Sequence, residues 1–133
     1  MKEEIKPTDL MIGNYVRDIH SEYGFFKVLE LRKDIVKYGN LFKAKYDDLR
    51  PIPLTEDILL KCGFEKHRKG YSLNVGGESF DYYINGKFVI WYHKYKGYSL
   101  DTISKSGDVF YNSLHQLQNL FKVLVGNDLN VNV

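Results

Sequence analysis

The chain has a single cysteine, Cys62, in 133 residues. No internal disulfide can form, and the fold has to rest on packing and hydrogen bonds. Proline is almost as scarce, with three residues, two of them at Pro51 and Pro53. No run approaches the eighteen apolar residues of a membrane span. The opening MKEEIKPTDL lacks the apolar core of a secretory leader. Charge of one sign is scarce too: nineteen basic residues face seventeen acidic ones, for a net +2. Divided at Pro53, the first part has ten basic and nine acidic residues and the second nine and eight, so neither has the excess of a dedicated nucleic-acid binder. These absences lead to the expectation of a soluble, cytoplasmic protein.

Catalytic and metal signatures are also missing. His20, His67, His93 and His115 are not spaced as a local metal pair, and no Cys-x-x-Cys or His-Glu-x-x-His accompanies them. The glycine pair in Asn74-Val75-Gly76-Gly77-Glu78-Ser79 has no Lys-Ser/Thr and no following helix, so it reads as a turn. Cys62 and His67 could form a thiolate pair, but Cys62 closes an apolar helical turn, where a small buried residue is the default. Asp47-Asp48 reads as capping or solvation, and His115 as a solvated helix edge or a strand-end contact. No acid, base and nucleophile converge, so no enzyme and no cofactor is expected.

What the chain does have is tyrosine, eleven residues of it, with aromatics at 15% and hydrophobic residues at 44%. That composition fits half-buried strands in an ordered domain. The organising stretch is 113–126, SLHQLQNLFKVLVG. Leu114, Leu117, Leu120, Phe121 and Leu124 fall on one face of a helix. Ser113 and Gln116 are spaced as a reciprocal capping box, and Gly126 suits a left-handed stop.

Taken in order, residues 1–9 read as a polar lead-in. Strands are expected over 14–17, 25–31, 35–38 and 41–46, the last two joined at Gly39-Asn40, with a loop or a 3₁₀ turn over 47–50. Short strands at this spacing suggest a small barrel of the SH3 kind over residues 1–53. The two prolines make a joint, after which Thr55 caps a short helix ended by Gly63. Residues 54–133 then hold that helix, an antiparallel meander and the C-terminal helix, possibly as one unit with the first part. Meander strands are expected over 71–75, 80–84, 88–93, 98–103 and 108–111, with Asn85-Gly86 as the clearest hairpin. Residues 88–92, FVIWY, are apolar on both faces, so the second face needs a cover: the short helix, the barrel or another subunit, which leaves a homo-oligomer open.

One arrangement hints at a ligand. Lys66, Arg68 and Lys69, with Lys94 and Lys96 around Tyr95, would present cations beside aromatic rings if they lie on neighbouring loops. That mixture binds single-stranded nucleic acid. Lysines guarding exposed strand ends, with tyrosines expected in a half-buried sheet, are the plainer explanation.

The motifs Ile12-Gly13-Asn14-Tyr15-Val16, Pro51-Ile52-Pro53-Leu54-Thr55-Glu56, Leu60-Lys61-Cys62-Gly63-Phe64 and His115-Gln116-Leu117-Gln118-Asn119-Leu120, followed by Leu124, Gly126 and Leu129, are familiar in combination. In their order and spacing the chain resembles a family of small uncharacterised proteins from phages and mobile elements of Bacteroidetes. The resemblance spans nearly the whole chain, except 66–108. It implies a bacterial, cytoplasmic, phage-associated setting and carries no activity and no catalytic residues. The expectation is an α+β protein acting as a non-enzymatic interaction module for a host or phage protein. The alternative is a nucleic-acid accessory protein using the basic, tyrosine-rich loops.

Overall fold

A computed structural model of the chain describes residues 5, 7–20, 24–38, 42–69, 80–93, 97–100 and 110–132. They form a mixed α+β fold with three antiparallel sheets and a C-terminal helix. The first part contains β1 (Tyr15–Asp18), β2 (Phe26–Lys27), β3 (Glu30–Leu31), β4 (Ile35–Tyr38), β5 (Phe42–Lys45) and β6 (Leu49–Arg50). A 3₁₀ turn at Tyr46–Asp48 precedes β6. The expected strand over 25–31 is broken at Val28-Leu29. Up to that break it pairs with β1, where Val28 N donates to Asn14 O at 2.8 Å. After it the chain pairs with β4, starting where Leu29 N donates to Lys37 O at 2.8 Å. One bent segment therefore serves two sheets, ordered β2-β1-β6 and β3-β4-β5. No closed barrel forms among the described residues.

Alternation along β1 explains why the halves meet there. Val16 is fully buried in a first cluster with Ile5, Leu10, Val28, Val36 and Leu49. Its neighbour Tyr15 points to the opposite face, as successive strand residues must, and packs against a second cluster. The lead-in is anchored rather than merely polar, since Ile5 and Leu10 are both buried and a 3₁₀ turn occupies Pro7–Asp9.

The Pro51–Pro53 stretch joins the second core. Ile52 is fully buried, Ile52 O accepts from Leu114 N at 2.8 Å, and Leu54 N donates to Asn112 O at 2.9 Å. Helix α1 (Glu56–Lys61) starts as expected, with Thr55 Oγ1 accepting from Ile58 N at 3.2 Å. Strands β7 (Glu65–Lys69), β8 (Phe80–Asn85), β9 (Phe88–His93) and β10 (Gly97–Ser99) follow in one sheet ordered β10-β9-β8-β7. The Asn85-Gly86 hairpin is present, with Asn85 opposite Phe88. The strand expected over 71–75, and residues 101–103 and 108–109 of the two expected over 98–103 and 108–111, lie outside the described residues.

Helix α2 (Leu114–Val125) closes the second core with Leu114, Leu117 and Phe121. Gly126 ends it in the left-handed conformation, φ +88°, where a side chain would be strained. Gln116 Oε1 closes its half of the box by accepting from Ser113 N at 3.3 Å. The Ser113 side chain faces the Gln116 backbone amide in return, so both halves of the capping box are present. Leu124 departs from the expected stripe: it is 56% exposed, as are its neighbours Val123 and Val125 at 78% and 41%, so the last turn of α2 is left uncovered.

Candidate functional site

The site grows out of two amides on α2. Gln118 lies four residues after Leu114, on the buried side of the helix, and is itself buried. Its Oε1 accepts from Tyr15 N at 2.8 Å, and its Nε2 donates to Gly13 O at 2.9 Å. Asn119 extends the clamp: its Oδ1 accepts from Asn14 Nδ2, and its Nδ2 donates to Asp9 O, both at 2.8 Å. A glutamine here reads a strand backbone in the manner of a neighbouring strand, satisfying one donor and one acceptor that are partly buried.

The clamp fixes a tight turn. Asn14 N donates to Met11 O at 3.0 Å, and Asn14 Oδ1 accepts from Met11 N at 2.8 Å. Gly13, φ +93°, supplies the backbone conformation that L side chains rarely adopt. At the tip, Met11 is 41% and Ile12 65% exposed. Beside the turn opens a cleft of about 590 Å³, walled by Tyr15, Lys27, Asn119, Lys122 and the tail at Asp128 and Val131. Lys122 Nζ pairs with Asp128 Oδ1 at 3.1 Å, and the tail is tied down by buried Leu129 and by Asn132 N donating to Lys61 O at 3.2 Å. The lining offers apolar contact, amides and the ammonium of Lys27, which forms no ion pair among the described residues. Those groups suit recognition.

The sequence-derived candidates are placed differently. Lys66, Arg68 and Lys69 lie within strand β7, not in a loop, opposite Tyr83, Asp81 and Phe80. Lys66 Nζ is engaged by Glu56 Oε1 at 2.5 Å and by Asp81 Oδ2 at 3.8 Å. The same Glu56 oxygen accepts from Tyr83 OH at 3.2 Å. The hydrogen bond from Lys66 holds the Glu56 carboxyl below its ordinary range. Lys94, Tyr95 and Lys96 lie outside the described residues.

His115 corrects the solvated-edge reading. It is buried, its Nδ1 has no hydrogen-bond partner among the described residues, and burial lowers its pKa, opposed by the nearby Asp9 charge. Cys62 is 1% exposed, and burial pushes its thiol up to about 11, far from a thiolate at neutral pH. Among the described residues no three His, Cys, Asp or Glu side chains gather to hold a metal ion. No helix there is long and apolar enough to cross a membrane.

In the sequence Gln118 stands out only as part of a motif, and Asn119 only as part of that motif and of the polar edge beside His115. A signal was available: a glutamine at an i+4 position on an apolar helix face has to find partners when the face docks. The Met11-Ile12 tip had no such signal, because exposure is set by the turn and not by residue type. No family model, curated protein or solved structure matches this chain.

Proposed function

We propose that the chain is a non-enzymatic interaction module of a phage or mobile element in the bacterial cytoplasm, docking a host or phage protein on the Met11-Ile12 turn and its cleft. The observation that carries this is an apolar dipeptide left exposed on a turn that a buried amide clamp holds in place. Lone exposed apolar residues are ordinary, but a pair presented rigidly at the mouth of a cleft has the makings of an anchor for a partner. Rigidity favours binding because the turn has little conformational entropy left to lose. The first part is read as an SH3-like unit. Its support is a bent strand shared by two three-stranded sheets and a 3₁₀ turn before the last strand.

The experiment is affinity capture from a bacterial lysate, with nuclease, by the unmodified chain, by Ile12→Asp and by Val123→Asp. Val123 is 78% exposed on α2 and serves as a second apolar surface position. A nuclease-resistant protein retained by the unmodified chain and by Val123→Asp, and lost with Ile12→Asp at unchanged melting temperature, supports the reading. Equal capture by all three refutes it.

A further inference from the structure

Two cations from different elements meet in the cleft beside the Met11-Ile12 turn. The register of β1 and β2 sets Lys27 directly opposite Tyr15, so both side chains stand on one face. Val16 and Phe26, the next pair, take the other face and pack into the first core. Lys122 comes from the helix side, one turn after Gln118. Asp128 is the one carboxylate among the described residues of the lining. It pairs with Lys122 at 3.1 Å, and Lys27 is left without an ion pair among the described residues. Two lysines against one aspartate give the lining one positive charge in excess. Asn14 and Asn119 add donors. Each amide nitrogen carries two hydrogens and gives one to the clamp, Asn14 to Asn119 Oδ1 and Asn119 to Asp9 O. The apolar contribution is the exposed Met11-Ile12 pair at the tip.

A lysine on an edge strand can simply guard that edge, and β2 is one. Lys122 has no edge to guard. Its pair with Asp128 is open to water, the two side chains being 51% and 83% exposed, so the lysine can exchange partners at little cost. We propose, resting on the docking role given above to the Met11-Ile12 turn, that the partner enters this cleft as an acidic peptide segment. One carboxylate pairs with Lys27, a second takes the place of Asp128 on Lys122, and an adjoining apolar side chain lies against Met11 and Ile12. Asp128 is then an internal competitor for the partner's charge. A nucleic acid would meet the same cations, but it needs rings to stack on. Tyr15, the one aromatic residue among the described lining, packs against the second core instead.

Selection of a displayed random-peptide library on the immobilised full chain, and on Ile12→Ser, tests this. The serine removes the apolar tip without adding a charge that would itself repel acidic peptides. Peptides retained by the unmodified chain and lost on Ile12→Ser should be rich in Asp and Glu beside Leu, Ile or Phe. Ile12-dependent peptides that are neutral or basic would overturn the acidic assignment and leave the docking reading standing. Absence of any Ile12-dependent peptide would overturn it as well, while capture from lysate decides the docking reading separately. The most enriched peptide, labelled, is then followed by fluorescence anisotropy. Lys27→Ala should weaken its binding about two- to fivefold, the range of an exposed ion pair. Asp128→Asn should tighten it by about the same factor, because the competitor for Lys122 is gone. Lys27 and Asp128 are both exposed, so an unchanged melting temperature is the control for folding. Indifference to Lys27→Ala, or weaker binding with Asp128→Asn, would overturn the assignment. So would displacement by a single-stranded RNA homopolymer as effective as by unlabelled peptide.

Discussion

Gln118 shows how one polar side chain can matter more to this molecule than several apolar ones. Replacing it with alanine leaves Tyr15 N and Gly13 O without their partner in a half-buried interface. Each abandoned buried group costs about 1–3 kcal/mol, so Gln118→Ala should lose roughly 2–4 kcal/mol in a urea titration. Gln116→Ala, whose side chain caps an exposed amide and a partly buried one, should lose about 0.5–2 kcal/mol. His115 gives a second residue-scale expectation. Burial lowers its pKa in the folded chain, so the native state keeps it neutral while the unfolded state takes up a proton. Stability is then complete above the unfolded value of about 6.5 and is lost as pH falls below it, with a slope of at most about 1.4 kcal/mol per pH unit from this group. Chemical denaturation between pH 7.5 and 5.5 should show the loss in the unmodified chain and a flatter profile in His115→Phe. Identical profiles would remove His115 from the account.

At the scale of elements, α2 separates what its sequence says from what only the fold decides. Leu117 is fully buried, so Leu117→Ala should cost roughly 2–5 kcal/mol. Leu124 belongs to the same apolar stripe by spacing, yet Leu124→Ala should stay within about 0.5 kcal/mol because the last turn is uncovered. Similar losses for the two in thermal unfolding would mean that the uncovered turn docks in solution. Local rules were enough for the helix boundaries, the Thr55 cap, the Gly126 stop and the Asn85-Gly86 hairpin, because each depends on residues within one turn of each other. They could not give β6 or the break at Val28-Leu29, since both follow from pairing with strands distant in the chain. The surroundings of Lys66 are hidden from local rules for the same reason. Nothing near Lys66 in sequence announces that Glu56 and Asp81 converge on it. On β5 the Lys-x-Lys alternation was visible, but the face it defines needed the register with β4.

The molecule as a whole has two clusters of buried side chains with a wall between them. Among the described residues the first holds eight members and the second fourteen, so the first is the one that depends on its neighbour. A unit of about fifty residues without a disulfide is marginal alone. Strand β1 supplies Val16 to one cluster and Tyr15 to the other, and the Gln118-Asn119 clamp holds that strand against α2. The two clusters should therefore unfold together. The only tryptophan, Trp91, lies on β9 in the second part, so its fluorescence follows that part alone. Amide exchange at Val16, Val28 and Val36 follows the first. In the unmodified chain the fluorescence midpoint and the free energies from exchange should agree, as a single cooperative transition requires. In Gln118→Ala with Asn119→Ala they should part, with exchange at the three valines opening at lower denaturant while the Trp91 transition moves less. Coincident probes in the double variant would mean that Tyr15 packing alone couples the two cores, and the amides would then position the Met11-Ile12 turn without holding the halves together.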